Sequence, residues 1–149
     1  PSDHLLLLSS STVGDQQRLG FKNFTFNFDS ASGIDYTVDV TQPNGQKVHI
    51  LRMSNGQPFD ENKWYKVAVN SYRANGGGEL LTRGAGIPHD SLQSRIIWKS
   101  QYDLRHYLIQ WIERLHDLDP QPNNNWKFVP EEWVEEAGKR DYKLLFGEK

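Results

Sequence analysis

The sequence predicts an α+β fold, a mainly antiparallel or mixed sheet packed with one long and one short helix. Three observations lead there. Apolar residues alternate with period two over much of Phe21 to Val69, and Pro-, Asn- and Gly-rich turns interrupt that alternation at hairpin spacing. After Ser100 the apolar period becomes helical. Strands first and helices later is the pattern of helices laid on a sheet.

Residues 1–20 carry no sustained period and read as an irregular N-terminal segment. Phe24, Phe26 and Phe28 then fall on one face of a strand, with Asn23, Thr25 and Asn27 on the other. Ala31–Gly33 is a turn. Ile34, Tyr36, Val38 and Val40 alternate with Asp35, Thr37 and Asp39 as the next strand. Pro43–Gly45 is a hairpin signal leading into a third strand through Val48 and Ile50, which Ser54–Pro58 closes. Tyr65, Val67 and Val69, alternating with Lys66, Ala68 and Asn70, predict a fourth.

Ser100, followed three residues on by Asp103, has capping-box spacing. Leu104, Leu108, Trp111 and Leu115, with Tyr107 and Ile112 beside them, predict an amphipathic helix over 101–116. Asp119–Asn125 is a loop. A short helix is expected over 130–140. Pro130 sits at its start, acids follow, Gly138 ends it, and Lys139 and Arg140 suit the negative end of its dipole. The Phe and Leu stripes are read as core.

A chain of 149 residues suits one domain over 1–149. Aromatic residues at 12% are too many for a disordered segment. A net charge of -2 supplies no basic groove, which argues against a nucleic-acid polymer. A single nucleotide needs only a few local donors and stays compatible. Without cysteine there is no disulfide, zinc-thiolate site or thiol nucleophile. The longest apolar run, Leu5–Leu8, is far too short for a membrane span. The first residue is Pro1 rather than Met, and no signal peptide is visible, so a fragment or processed product is expected.

No catalytic residue or metal site is legible. His4, His49, His89, His106 and His116 form no compact ligand pair, and neither a nucleophile elbow nor a phosphate-binding loop is present. Asp103 and His106 read as a surface contact. What stands out is YKVAVNSYRANGGGEL, residues 65–80. Gly76, Gly77 and Gly78 permit positive φ and close approach to the backbone, and N–H groups left free in such a turn form a concave anion site. Tyr72 offers a flat face on which a base could stack, a contact worth about 1–3 kcal/mol. Asn70 and Asn75 can read ring edges or sugar hydroxyls. Arg73 suits a phosphate, an acid in the sheet, or support of the loop. The competing reading is a long loop around a buried tyrosine.

The same residues resemble the C-terminal domain of the 5′-nucleotidase family. In particular they resemble its 2′,3′-cyclic-nucleotide 2′-phosphodiesterase/3′-nucleotidase branch, where an N-Y-R-A-x-G-G signature matches Asn70, Tyr72, Arg73, Ala74, Gly76 and Gly77. Phe26–Pro43 and Asn123–Pro130 are similar to segments of that branch before and after the site, so the likeness spans roughly 21–130.

The resemblance implies a substrate-specificity domain, N-terminally truncated, in an extracytoplasmic nucleotide hydrolase. In such enzymes an N-terminal metallophosphoesterase domain of the same polypeptide holds two divalent metal ions, while the C-terminal domain grips the nucleoside. The base lies between two aromatic rings. One matches Tyr72; the other, like the phosphate-gripping arginines, belongs to an earlier segment that this sequence does not contain. Substrate-binding roles are thereby implied for Tyr72, Asn70, Arg73, Asn75, Gly76, Gly77 and Gly78. In the 5′-nucleotidase branch an Asp that binds ribose follows the Gly-Gly pair; here that position is Gly78. Alone, the chain is expected to be inactive. The alternative is a non-catalytic module of the same fold that recognises a glycan or a protein.

Overall fold

A computed structural model of the chain describes residues 8–13 and 16–21 by their backbone, and residues 28–115 and 117–146 in full. In chain order its strands are β1 (Leu8–Val13), β2 (Gln16–Phe21), β3 (Ile34–Asp39), β4 (Val48–Met53) and β5 (Trp126–Val129). Its helices are α1 (Ser71–Ala74), α2 (Leu104–Arg114) and α3 (Glu131–Phe146). The chain divides into two compact units, Pro1–Glu61 with Asn124–Lys149, and Asn62–Asn123.

The first unit is α+β. Its three-stranded sheet has the order β4-β3-β5, with β3 antiparallel to β4 and parallel to β5. β3 follows the predicted alternation, whereas β4 is exposed from His49 to Arg52 and its register with β3 shifts between Asp35 and Tyr36; Gly45 in the turn takes φ 86°. One face of β3 is buried: Tyr36 is 1% and Val38 5% exposed. Tyr36 stacks on Trp126, with ring centroids 5.8 Å apart and planes 7° from parallel. Phe28 and Phe128 pack around the same tryptophan. Asp35, opposite Arg52 in the register, accepts from Arg52 Nε at 2.7 Å and from Ser54 Oγ at 2.8 Å.

The stretch expected to be irregular, 1–20, contains β1 and most of β2, paired antiparallel from Leu8 with Phe21 to Val13 with Gln16. The serines of β1 show no apolar alternation; the backbone ladder holds the pair. β5 was not foreseen. Asn125 anchors it by donating from Nδ2 to the carbonyls of Ala31 and Ile34, while its own carbonyl accepts from Tyr36 N–H at 3.0 Å. The strand expected through Phe24 and Phe26 lies outside the described residues, and Phe28 is not in a strand.

The helix lengths are reversed. α3 is the long helix, with 16 residues, and Gly138 sits inside it instead of ending it. Beyond that glycine Leu144 and Leu145 are half-buried while Tyr142 and Phe146 are exposed, and α3 lies against β2 and β5. α2 has 11 residues. Its cap is Asp103, whose carboxylate accepts from His106 N–H at 2.9 Å, whereas Ser100 Oγ donates to the Tyr102 carbonyl. The helix is shorter than the expected 101–116: it begins at Leu104 and ends at Arg114, with Leu115 as an extended C-cap.

In the second unit the predicted strand at Tyr65 is absent; residues 64–70 are irregular and lead into α1. Val67 is 77% exposed, and no described strand pairs with this segment. An alternating sequence becomes a strand only when a neighbour completes its ladder. The apolar stripe of α2 is likewise not core, since Leu104, Leu108 and Trp111 are all about half exposed or more. Among the described residues, no helix is long and apolar enough to cross a membrane.

Candidate functional site

The predicted site residues fall together in the second unit, around one short helix and the glycine turn that follows it. Asn70 starts α1: its Oδ1 accepts from Arg73 N–H at 2.9 Å, and its carbonyl accepts from Ala74 N–H. This is the ordinary helix-capping use of an asparagine. It stands Tyr72 on a single helical turn, where the residue is 55% exposed. The tyrosine is therefore not a core residue.

Gly77 explains how the ring is held. A Cβ at this position would lie 2.5 Å from Tyr72 Cε2 and 2.6 Å from both Cδ2 and the Tyr72 carbonyl oxygen. Only a residue without a side chain lets the ring settle against the backbone there. On the same turn the Arg73 guanidinium carbon lies 5.3 Å from the Tyr72 ring centroid, within cation–π range. Arg73 is 6% exposed, and its Nη1 donates to the Gly77 carbonyl at 3.1 Å. Of the roles open to it, the geometry is that of a brace between ring and turn.

Gly76 is required for two reasons. Its φ is 88°, and a Cβ there would come within 3.1–3.3 Å of His89 and Leu92 side-chain atoms. Beyond Gly77, Gly78 (φ 66°) and Glu79 (φ 58°) return to the left-handed region. The turn closes largely on itself. The N–H groups of Asn75, Gly76 and Glu79 donate to the carbonyls of Ser71, Arg73 and Gly76 respectively. These three donors are thereby engaged within the turn itself.

Asn75 accepts from Gln93 Nε2 at 2.8 Å through its Oδ1. In both asparagines Oδ1 accepts a hydrogen bond from the protein. Sequence reasoning missed His89, Leu92 and Gln93, which belong to single helical turns at His89–Ser91 and Gln93–Arg95 and to the residue between them. Leu92 is 3% exposed and anchors this segment beside Gly76. No motif marks these residues; the only signal was the glycine, whose missing side chain makes the room they fill. Among the described residues no three His, Asp or Glu side chains converge to hold a metal ion.

Comparison with known proteins gives this geometry a context. The family described as 5′-nucleotidase, C-terminal domain matches residues 5–83, more than half of the chain and the whole of the Asn70–Gly78 segment. Over 128 residues the chain is 32% identical to a trifunctional nucleotide phosphoesterase protein of Bacillus subtilis, covering 78% of this chain and 8% of that protein. It is 34% identical over 126 residues to a 2′,3′-cyclic-nucleotide 2′-phosphodiesterase/3′-nucleotidase of Salmonella typhimurium, covering 74% of this chain and 18% of that one. A protein of the same name in Haemophilus influenzae is 29% identical over 126 residues, with the same coverage, 74% and 18%. The chain thus spans less than a fifth of the length of these relatives. No solved structure matches it.

Proposed function

This chain belongs to the C-terminal domain family of the 5′-nucleotidases, and on that footing we propose that it recognises the nucleoside part of a nucleotide for a phosphoric ester hydrolase. The observation that carries this reading is Tyr72, an aromatic ring half exposed yet held by Gly77 and Arg73. An ordered, accessible ring meets a base without first losing side-chain freedom, and stacking of this kind is worth about 1–3 kcal/mol. Asn70 and Asn75 offer amide donors near it. Gly76, Gly77 and Gly78 shape the turn, and Arg73 positions the ring.

The parent activity in this proposal is hydrolysis of 2′,3′-cyclic nucleotides or nucleoside monophosphates in an extracytoplasmic compartment. The two divalent metal ions of that chemistry do not fit the described residues of this chain, which bring no ligand set together. They belong to a metallophosphoesterase domain elsewhere in the polypeptide, and the chain's own share is binding and orientation. The test is a backbone-resolved NMR titration of the 149-residue chain with adenosine and with 3′-AMP in metal-free buffer. Saturable shifts centred on residues 70–78 are expected, abolished in Tyr72→Ala. Saturable shifts elsewhere, or binding unchanged by that substitution, would overturn the reading. No hydrolysis by this chain is expected when Mn²⁺ or Zn²⁺ is added.

A further inference from the structure

We infer that His89 is a second ligand-contacting residue of this site, donating a hydrogen bond to an oxygen of the sugar–phosphate portion of a nucleotide whose base lies on Tyr72. The inference rests on the nucleotide reading above. Its starting point is that two consecutive glycines each make room for a ring. The Tyr72 ring occupies the space a side chain on Gly77 would need, and the His89 ring edge lies where a side chain on Gly76 would crowd it. A Cβ on Gly76 would stand 3.1 Å from His89 Cδ2 and 3.3 Å from Nε2. Both rings therefore border adjacent residues of one turn, and both are exposed.

His89 is also held in place. Leu92, 3% exposed, packs its Cδ1 beside the same Gly76, and its N–H donates to the His89 carbonyl. Gln93 bonds to Asn75 at 2.8 Å. The segment carrying His89 is thus fastened to the glycine turn at two further points. Arg73, by contrast, is buried and bonded to the Gly77 carbonyl. An imidazole can donate from either ring nitrogen according to its tautomer, and from both when protonated. The oxygen it meets is a ribose hydroxyl or a phosphate oxygen, and adenosine and 3′-AMP distinguish the two.

The experiment titrates wild type, His89→Ala and His89→Gln with each ligand by NMR, following the His89 imidazole signals and the amides of residues 70–78. In wild type the imidazole signals are expected to shift in step with Tyr72. Loss of one hydrogen bond should weaken binding by about 3- to 10-fold in His89→Ala, with partial recovery in His89→Gln, which keeps a donor. A loss seen for both ligands assigns the ribose; a loss confined to 3′-AMP assigns the phosphate. Equal affinities in wild type and His89→Ala would overturn the inference and leave the Tyr72 reading standing. A weakened His89→Ala whose free spectrum is already displaced at residues 75–77, and which Gln does not rescue, would overturn it in favour of a packing role. No saturable shift with either ligand in wild type would overturn both readings.

Discussion

The Tyr72 ring lies where a side chain on Gly77 would have to be, 2.5 Å from the position of its Cβ. Ring atoms and backbone crowd that point together, so the conflict cannot be relieved by swinging a flexible side-chain end. Gly77→Ala should displace the ring from the turn and destabilise the second unit by about 1–3 kcal/mol, the usual cost of forcing extra volume into a filled space. Amide exchange at residues 72–79 is the measurement, together with the Tyr72 ring signals. Wild-type ring signals in the alanine variant would show that the contact is not obligatory.

Arg73 should matter for stability more than its polar character suggests. The residue is 6% exposed, and its guanidinium donates to the Gly77 carbonyl. Removing a charge-assisted bond from a buried site typically costs about 1.5–3 kcal/mol. Arg73→Ala is therefore expected to speed exchange at Gly77, Gly78 and Glu79 markedly. Arg73→Lys should recover only part of the loss, because an ammonium lacks the planar fork of donors. Unchanged exchange in the alanine variant would mean that the turn holds itself.

The glycine signature and β3 were legible in the sequence for physical reasons. Tyr36 and Val38 alternate strictly because one face of their strand is buried, and Gly76 and Gly77 stand where rings meet backbone. The failures are equally specific. β5 has four residues and pairs in parallel with a strand about 90 positions earlier, so no local pattern announces it. Tyr65 to Val69 alternate, but no strand among the described residues pairs with them. The α2 stripe has the helical period of a core face, but period records only which residues share a face, not what covers it. His89 and Gln93 reach the turn through tertiary placement alone.

The carboxylates of the β3–β4 hairpin set an acid limit on the first unit. Asp35 is held below the usual carboxylate range, first by its hydrogen bond from Arg52 and then by that from Ser54. Asp39 is lowered by its bonds from Thr41, with Gln42 contributing. A carboxylate whose folded-state pKa is depressed stabilises the fold fully above its unfolded pKa, near 4, and loses that contribution as pH falls through the folded value. Asp35 and Asp39 should thus contribute no pH dependence between about 5 and 7, and a decline below about 4. Thermal unfolding across pH 2 to 7 checks this: Asp35→Asn should be less stable than wild type at neutral pH, and the gap should close in acid. A gap that stays constant to pH 2 would exclude the Arg52 and Ser54 bonds as its source.

Burial, not hydrophobicity, should decide which aromatic and aliphatic residues the fold depends on. Tyr36 is 1% exposed, stacked on Trp126, and its hydroxyl accepts from Ala31 N–H at 3.1 Å. Truncating so large a buried side chain typically costs about 3–5 kcal/mol, so Tyr36→Ala should leave the β4-β3-β5 sheet largely unfolded. Tyr36→Phe removes only the hydroxyl and should cost about 0.5–1.5 kcal/mol. Leu108, on the stripe the sequence marks as core, is 48% exposed. Leu108→Ser should change stability by no more than about 0.5 kcal/mol, as surface substitutions do. Urea denaturation followed by amide signals from each unit separates the three variants. A Leu108→Ser loss rivalling that of Tyr36→Ala would mean that the α2 stripe is covered in solution.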